Sequence, residues 1–206
     1  MHAQSLAERL KGSEEGVEPK HIFASPFIRA THTAHVIAQH LGVQVRVEDG
    51  IMEWLTPDLV GKDHYTARRS DELNKLYSTV DTKYRSVYGA RHLLGWENEK
   101  ELFERARDVI NLLVDSARGE SILLCSHAPC AQALALALEN VDIDPSKSKI
   151  PAWPLGGVTM FARYLNEDGE YGDWNLEINC CTDHMPGSYR DGERPWSLPG
   201  FGNAAP

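Results

Sequence analysis

Long apolar runs are absent from this sequence. Residues 1–16 lack the uninterrupted apolar core of a signal peptide, and no run reaches the about 18 apolar residues that a bilayer-spanning helix needs. We therefore expect a soluble intracellular protein, cytoplasmic or nuclear, with no membrane partner.

Cysteine is scarce, and its spacing follows no known framework. Four cysteines in 206 residues are too few for a disulfide scaffold, and Cys125, Cys130, Cys180 and Cys181 match no zinc-binding pattern. We therefore expect reduced, structural thiols, no metal site and no other cofactor.

Positive charge is also in deficit, because 21 lysine and arginine residues face 30 aspartate and glutamate residues. The formal net charge of -9 repels the phosphates of nucleic acids, which argues against direct nucleic acid binding. An anion site in this chain must therefore be a local concentration of Arg, His and backbone N–H groups.

What the sequence does contain is an alternation of helical and extended patterns, with 42% hydrophobic residues to fill a core. This order predicts an α/β fold with three layers, in which helices cover both faces of a mostly parallel sheet. We expect a single domain over 1–206, with an insertion at about 50–98 and an irregular tail at about 183–206. The patterns predict helices at 3–10, 29–41, 99–117 and 129–138, and strands at 21–25, 43–47, 122–125, 158–162 and 174–178.

Two of the predicted strand-to-helix junctions carry a residue suited to anion binding. Arg29 begins the helix that follows Ser25-Pro26, and His127 directly follows the strand that ends at Cys125. Ligands of open α/β sheets bind beyond the carboxyl ends of the strands, where helix N-termini point N–H groups at anions. A guanidinium and an imidazole at this edge would suit a phosphoryl group.

Each of these signals is weak alone. An Arg at a helix start is more often a solvated residue, and a His after a buried strand is more often a structural hydrogen-bonding group. A hydrolase that uses Ser126 or Cys130 beside His127 is an alternative, although the sequence has no Gly-x-Ser-x-Gly motif.

The segment 23–34 combines Ser-Pro, an Arg and Thr-Ala, and the segment 50–54 reads Gly-Ile-Met-Glu-Trp. The segment 122–128 is a buried strand followed by Ser-His-Ala. These three segments, in this order, resemble the histidine phosphatase (phosphoglycerate mutase-like) superfamily. The segments 174–179 and 194–196 resemble a fungal-type branch that includes a phosphatase-like subunit of an RNA polymerase III transcription factor.

The resemblance implies a role for each matching residue. Arg29 would bind the phosphoryl oxygens, His127 would donate to the same oxygens and stabilise charge as it develops, and Glu53 would protonate the leaving alkoxide. No metal is needed. The substrate would be a phosphorylated small molecule or a phosphoprotein. Glu53 as a solvated loop carboxylate, and Trp54 as a plain core residue, are the alternatives.

One family motif is missing. The superfamily's nucleophile is the His of an Arg-His-Gly motif at the end of its first strand, and these 206 residues contain no Arg-His-Gly. Arg91-His92 is followed by Leu93. Residues 3–10 resemble the helix after that strand, so we expect the first strand to be absent and the chemistry to be impaired. A non-catalytic interaction subunit, such as a protein partner in a transcription complex, is the alternative function.

Overall fold

The structure, a computed structural model, describes residues 2–11, 18–57, 66–89, 96–141 and 153–187. The described residues do not include the Arg91-His92 dipeptide, the tail beyond 187 or the motif at 194–196. In chain order the elements are α1 (His2–Lys11), β1 (His21–Ala24), α2 (Ile28–Leu41), β2 (Val45–Val47), a 3-10 turn (Asp49–Ile51), α3 (Ser70–Leu76), α4 (Glu99–Ala117), β3 (Ile122–Cys125), α5 (Ala128–Leu138), β4 (Val158–Ala162) and β5 (Asn175–Cys181).

The predicted helices and strands are confirmed to within three residues, and the later start of β2 has a local cause. β2 begins at Val45 rather than at residue 43, because α2 ends in a left-handed cap at Gly42, whose φ is 70°. The backbone N–H groups of Gly42 and Val43 both donate to the carbonyl of Ala38. Val43 therefore belongs to the helix cap.

The sheet has β1 at its centre. β1 pairs in parallel with β2 on one side and with β3 on the other, which gives the order β2-β1-β3. β4 and β5 form a separate antiparallel pair. The predicted α/β class with a parallel sheet is confirmed, and the fourth and fifth strands differ from the prediction in forming their own sheet.

Side chains of β1 alternate between two layers of helices. Ile22 and Ala24 pack into a buried cluster with residues of α1 and α2, whereas Phe23 packs into a cluster with residues of α4 and α5. Successive side chains of a strand point to opposite faces of its sheet, so the two clusters lie on opposite faces. The predicted three layers are thus present.

α4 shows why its sequence forms a helix in this place. Asn98 accepts a hydrogen bond from the backbone of Glu101, and the Glu101 side chain accepts one from the backbone of Asn98, a capping box that begins the helix. The buried face then covers the sheet with residues at helical spacing. Its members are Leu102, Phe103, Arg105, Ala106, Val109, Ile110, Leu113 and Ala117.

The excursion between β2 and α4 returns to the sheet and to a buried carboxylate. Val80 forms an isolated parallel bridge with Val45 of β2. The fully buried Glu48 accepts hydrogen bonds from the hydroxyls of Tyr84 and Ser86 and from the backbone of Val87. These bonds fasten the 84–87 segment against the turn that precedes Glu53. None of the helices in the described part of the chain is long and apolar enough to cross a membrane.

Candidate functional site

The three predicted site residues meet at one carboxylate oxygen. Arg29, in the first turn of α2, donates from Nη2 to Glu53 Oε2 over 2.8 Å. His127, between β3 and α5, places its Nδ1 atom 3.2 Å from the same oxygen. The structure therefore brings Arg29, Glu53 and His127 together beyond the carboxyl ends of β1 and β3.

Local structure after β1 sets the position of Arg29. The Ser25 N–H donates to the carbonyl of Cys125, which extends the pairing of β1 with β3 by one residue. The Thr31 hydroxyl donates to the carbonyl of Ser25 and ties the first turn of α2 to the strand end. The Arg29 guanidinium lies 5.1 Å from the centre of the Phe27 ring, a cation–π contact that restricts its direction.

His127 is buried and held at both ring nitrogens. Its Nε2 atom lies 2.8 Å from the hydroxyl of Ser25, and its ring meets the Phe27 ring edge to face at 5.3 Å. An ionised carboxylate only accepts hydrogen bonds, so Nδ1 must carry the proton that faces Glu53. Nε2 is then the acceptor of the Ser25 hydroxyl, which fixes one tautomer.

The site favours an ionised Glu53 beside a neutral His127. Burial opposes ionisation of Glu53, yet the hydrogen bond from His127, together with the charge and hydrogen bond of Arg29, holds the pKa of its carboxyl below its usual value. Burial lowers the pKa of His127, and the charges of Arg29 and Arg105 act in the same direction against the attraction of Glu53. The resting site therefore holds one anion, Glu53, and one nearby cation, Arg29, at neutral pH.

A clamp of hydrogen bonds fixes the turn that leads to Glu53. The buried guanidinium of Arg105 donates from Nη1 to the carbonyls of Gly50, at 2.8 Å, and Met52, at 3.2 Å. The Ser126 hydroxyl donates to the carbonyl of Ile51 at 2.8 Å. Three consecutive carbonyl groups before Glu53 are thus bound by α4 and by the residue next to His127.

The cation of this clamp has its own counter-ion. Arg105 is only 1% exposed and forms a two-point ion pair with the Glu97 carboxylate. The Glu97 carbonyl also accepts the indole N–H of Trp54 at 2.9 Å. The Trp54 backbone N–H donates to Glu53 Oε1 at 3.0 Å, so Trp54 is a half-buried support of the site.

Sequence reasoning did not single out Arg105, Glu97 or Ser25. A signal for Arg105 exists, because it lies three residues after Leu102 and one before Ala106, inside the apolar stripe of α4. A charged residue in such a stripe is almost never buried without a partner. Ser25 belongs to the Ser-Pro pair that ends the first predicted strand, but no signal indicated its bond to His127.

The alternative hydrolase that uses Ser126 or Cys130 lacks the required geometry. The Ser126 hydroxyl is bound to the Ile51 carbonyl, and Cys130 is buried beside Arg105, where burial raises the pKa of its thiol. The hydroxyl on His127 is that of Ser25, which is fully buried and closed to a substrate.

Comparisons with known proteins identify the family of this chain. The profile of the histidine phosphatase superfamily (branch 1) matches residues 1–167. The chain is 28% identical over 175 residues to the human ubiquitin-associated and SH3 domain-containing protein A, a match that covers 79% of this chain and 25% of that protein. It is 30% identical over 145 residues to the transcription factor tau 55 kDa subunit of Saccharomyces cerevisiae, covering 68% of this chain and 32% of that protein.

These curated relatives are much longer than the region of similarity, since the chain spans about a quarter to a third of their length. Among solved structures, ecdysone phosphate phosphatase from Bombix mori has a TM-score of 0.62 at 22% identity, covering 88% of this chain and 70% of that one. A mycobacterial glucosyl-3-phosphoglycerate phosphatase has a TM-score of 0.58 at 19% identity, covering 87% and 84%. At such identities the structural matches establish the fold. On the family match, the chain belongs to the histidine phosphatase superfamily, branch 1.

Proposed function

We propose that this chain binds the phosphoryl group of a phosphomonoester between Arg29 and His127. The observation that carries the proposal is the convergence of Arg29 Nη2 and His127 Nδ1 on one oxygen atom, that of Glu53. Donors arranged around a carboxylate oxygen also suit a phosphoryl oxygen, and charge-assisted bonds from a guanidinium are among the strong ones. The substrate is a phosphorylated small molecule or a phosphoprotein.

Within this proposal each residue has one task. Arg29 binds the phosphoryl oxygens, and the Nδ1–H of His127 donates to the same group as negative charge develops on it. Glu53 is the group placed to deliver a proton to the departing alkoxide. The nucleophile is the missing part, because the 206 residues contain no Arg-His-Gly. We therefore propose that this chain of 206 residues binds phosphate but shows little or no turnover.

Binding and turnover are tested separately. Titration calorimetry with vanadate should show binding by the parent chain, weakened at least about tenfold by Arg29→Gln, because charge-assisted bonds contribute about 1.5–3 kcal/mol. The control Arg107→Gln removes an exposed arginine from a different helix, α4, and should bind vanadate like the parent. Equal affinities in all three proteins would refute the phosphate pocket.

The same proteins, together with His127→Ala, are assayed with p-nitrophenyl phosphate between about pH 5 and pH 8, the range in which a histidine titrates. We expect turnover near the background rate. Robust hydrolysis that His127→Ala abolishes would show that the nucleophile is present after all, in His127 or in another residue of this chain.

A second candidate function is a non-catalytic subunit of a transcription complex in the nucleus. The specific observation in its favour is the 30% identity to the tau 55 kDa subunit of the yeast transcription factor. Affinity purification of the tagged chain from its own cells should then recover RNA polymerase III transcription factor subunits at constant ratios. Recovery of the chain alone would refute this candidate.

A further inference from the structure

Glu53 is in an unusual state for the acid of the proposed reaction, because the site favours its ionised form. The two donors assigned to the phosphoryl group, Arg29 Nη2 and His127 Nδ1, are both engaged by the protein's own carboxylate. We propose that Glu53 is an internal competitor that occupies the phosphoryl position of the resting site, and that an entering dianion displaces it and converts it to the protonated acid. This inference rests on the proposed function and adds a regulation of the same site.

Competition follows first from the donor count of His127. A neutral imidazole has one N–H, and in the resting site that proton lies on Nδ1 and faces Glu53, because Nε2 accepts from Ser25. A phosphoryl oxygen can receive this hydrogen bond only if Glu53 gives it up. The carboxylate and the anion therefore exclude one another at this donor.

Displacement does not require the Glu53 side chain to leave the site. Its second oxygen, Oε1, accepts the backbone N–H of Trp54, and the turn before it is held by Arg105 and Ser126. A rotation of the carboxyl group thus leaves it beside the bound anion. Two negative groups in contact in a buried site repel one another strongly, whereas a protonated carboxyl donates an O–H to the anion.

The charged and titratable groups that face Glu53 determine where the proton goes. They are Arg29 from α2, His127 from the β3–α5 junction and, beyond His127, Arg105 from α4 with its partner Glu97. At rest, His127 and Arg29 offset the burial that opposes ionisation of Glu53 and lower the pKa of its carboxyl. When both donors turn to the anion, burial and the new negative charge remain, and both raise the pKa of Glu53.

The coupling has a functional consequence. Entry of the dianion is accompanied by the uptake of about one proton, and the proton is stored on the group that the proposed reaction needs as its acid. Glu53 is therefore protonated, and able to act as the acid, only when a phosphoryl group is bound.

Sulfate is the probe for this coupling, because it stays a dianion where phosphate titrates. In the parent chain, the sulfate affinity measured by calorimetry should increase by up to about tenfold for each unit by which the pH decreases from about pH 8 to pH 6. Titrations in buffers of different ionisation enthalpy should report the uptake of about one proton per sulfate. A sulfate affinity independent of pH, with no proton uptake, would overturn the inference without any variant.

Variants separate this inference from the proposed function. Glu53→Gln keeps the size of the side chain and removes its charge, so it should bind sulfate about tenfold more tightly than the parent near pH 8, with a flatter pH dependence. If Glu53→Gln disturbs folding, Glu53→Ala replaces it and should show the same tighter sulfate binding. Glu104→Gln, an exposed change of equal charge on α4, should match the parent.

Two further outcomes, seen with the variants, count against the inference. Sulfate binding that depends on Arg29 but is not tighter in either Glu53 variant would overturn the competition and leave the phosphate pocket intact. No sulfate binding in any variant, including the Glu53 pair, would overturn both proposals.

Discussion

Arg105→Met tests whether the buried clamp holds the Glu53 turn. The methionine fills the path of the arginine stem but removes the contacts of the guanidinium with Glu97, with the carbonyls of Gly50 and Met52 and with the sulfur of Cys130. Glu97, whose side chain is 10% exposed, keeps a buried charge without its partner. Breaking a buried pair on one side costs about 3–5 kcal/mol, and we expect about 4 kcal/mol here.

Urea unfolding, followed by tryptophan fluorescence, measures this change as a lower midpoint at an unchanged slope. For a chain of this size a loss of about 4 kcal/mol corresponds to a fall in Tm of about 10 °C. Because a typical domain has about 5–15 kcal/mol of stability, the variant should remain folded near room temperature.

The double variant Arg105→Met, Glu97→Leu separates stability from positioning. It removes both charges, so most of the lost free energy of unfolding should return. The carbonyls of Gly50 and Met52 still lack their donor, and sulfate binding should stay weaker than in the parent chain. A single variant that costs less than about 1 kcal/mol, or a double variant with parental sulfate affinity, would refute the reasoning.

Three further changes probe the same turn. Burial, and then the neighbouring Glu48, raise the pKa of Asp49 to about 6, so its carboxyl destabilises the fold as pH rises from about 4 to 6. This rise of the pKa by about two units corresponds to about 3 kcal/mol, which partial exposure to solvent reduces. Asp49→Asn should therefore gain about 2 kcal/mol at neutral pH and nothing below about pH 4 in urea unfolding, and an equal gain at both would contradict the linkage. Gly50→Ala places a Cβ against the Val109 side chain and 2.8 Å from Tyr88 Cβ, and should lower the free energy of unfolding by about 1–3 kcal/mol. Tyr84→Phe removes the hydroxyl that donates to Glu48 over 2.7 Å and should cost about 2 kcal/mol in the same assay, whereas a cost near zero would mean that water replaces this donor.

The sequence was sufficient for the elements and for the junctions that carry Arg29 and His127. Helices α2, α4 and α5 and strands β1 and β3 were predicted within a residue or two, because periodicity and end signals are local properties. Parallel strands align their carboxyl ends, so the edge where Arg29 and His127 lie also followed from the pattern.

Tertiary structure alone decided how the site is held. The bond between Ser25 and His127 joins residues 102 positions apart, and the one between Arg105 and Gly50 spans 55 positions. No local pattern encodes such partners, because the packing of α4 and α5 on the sheet determines which buried polar groups meet. The resemblance placed Glu53 at the same site, but its hydrogen bonds with Arg29 and His127 at rest could not be predicted. The sequence supplied the residues of the site, and only the fold showed that the Glu53 carboxylate takes both donors at rest.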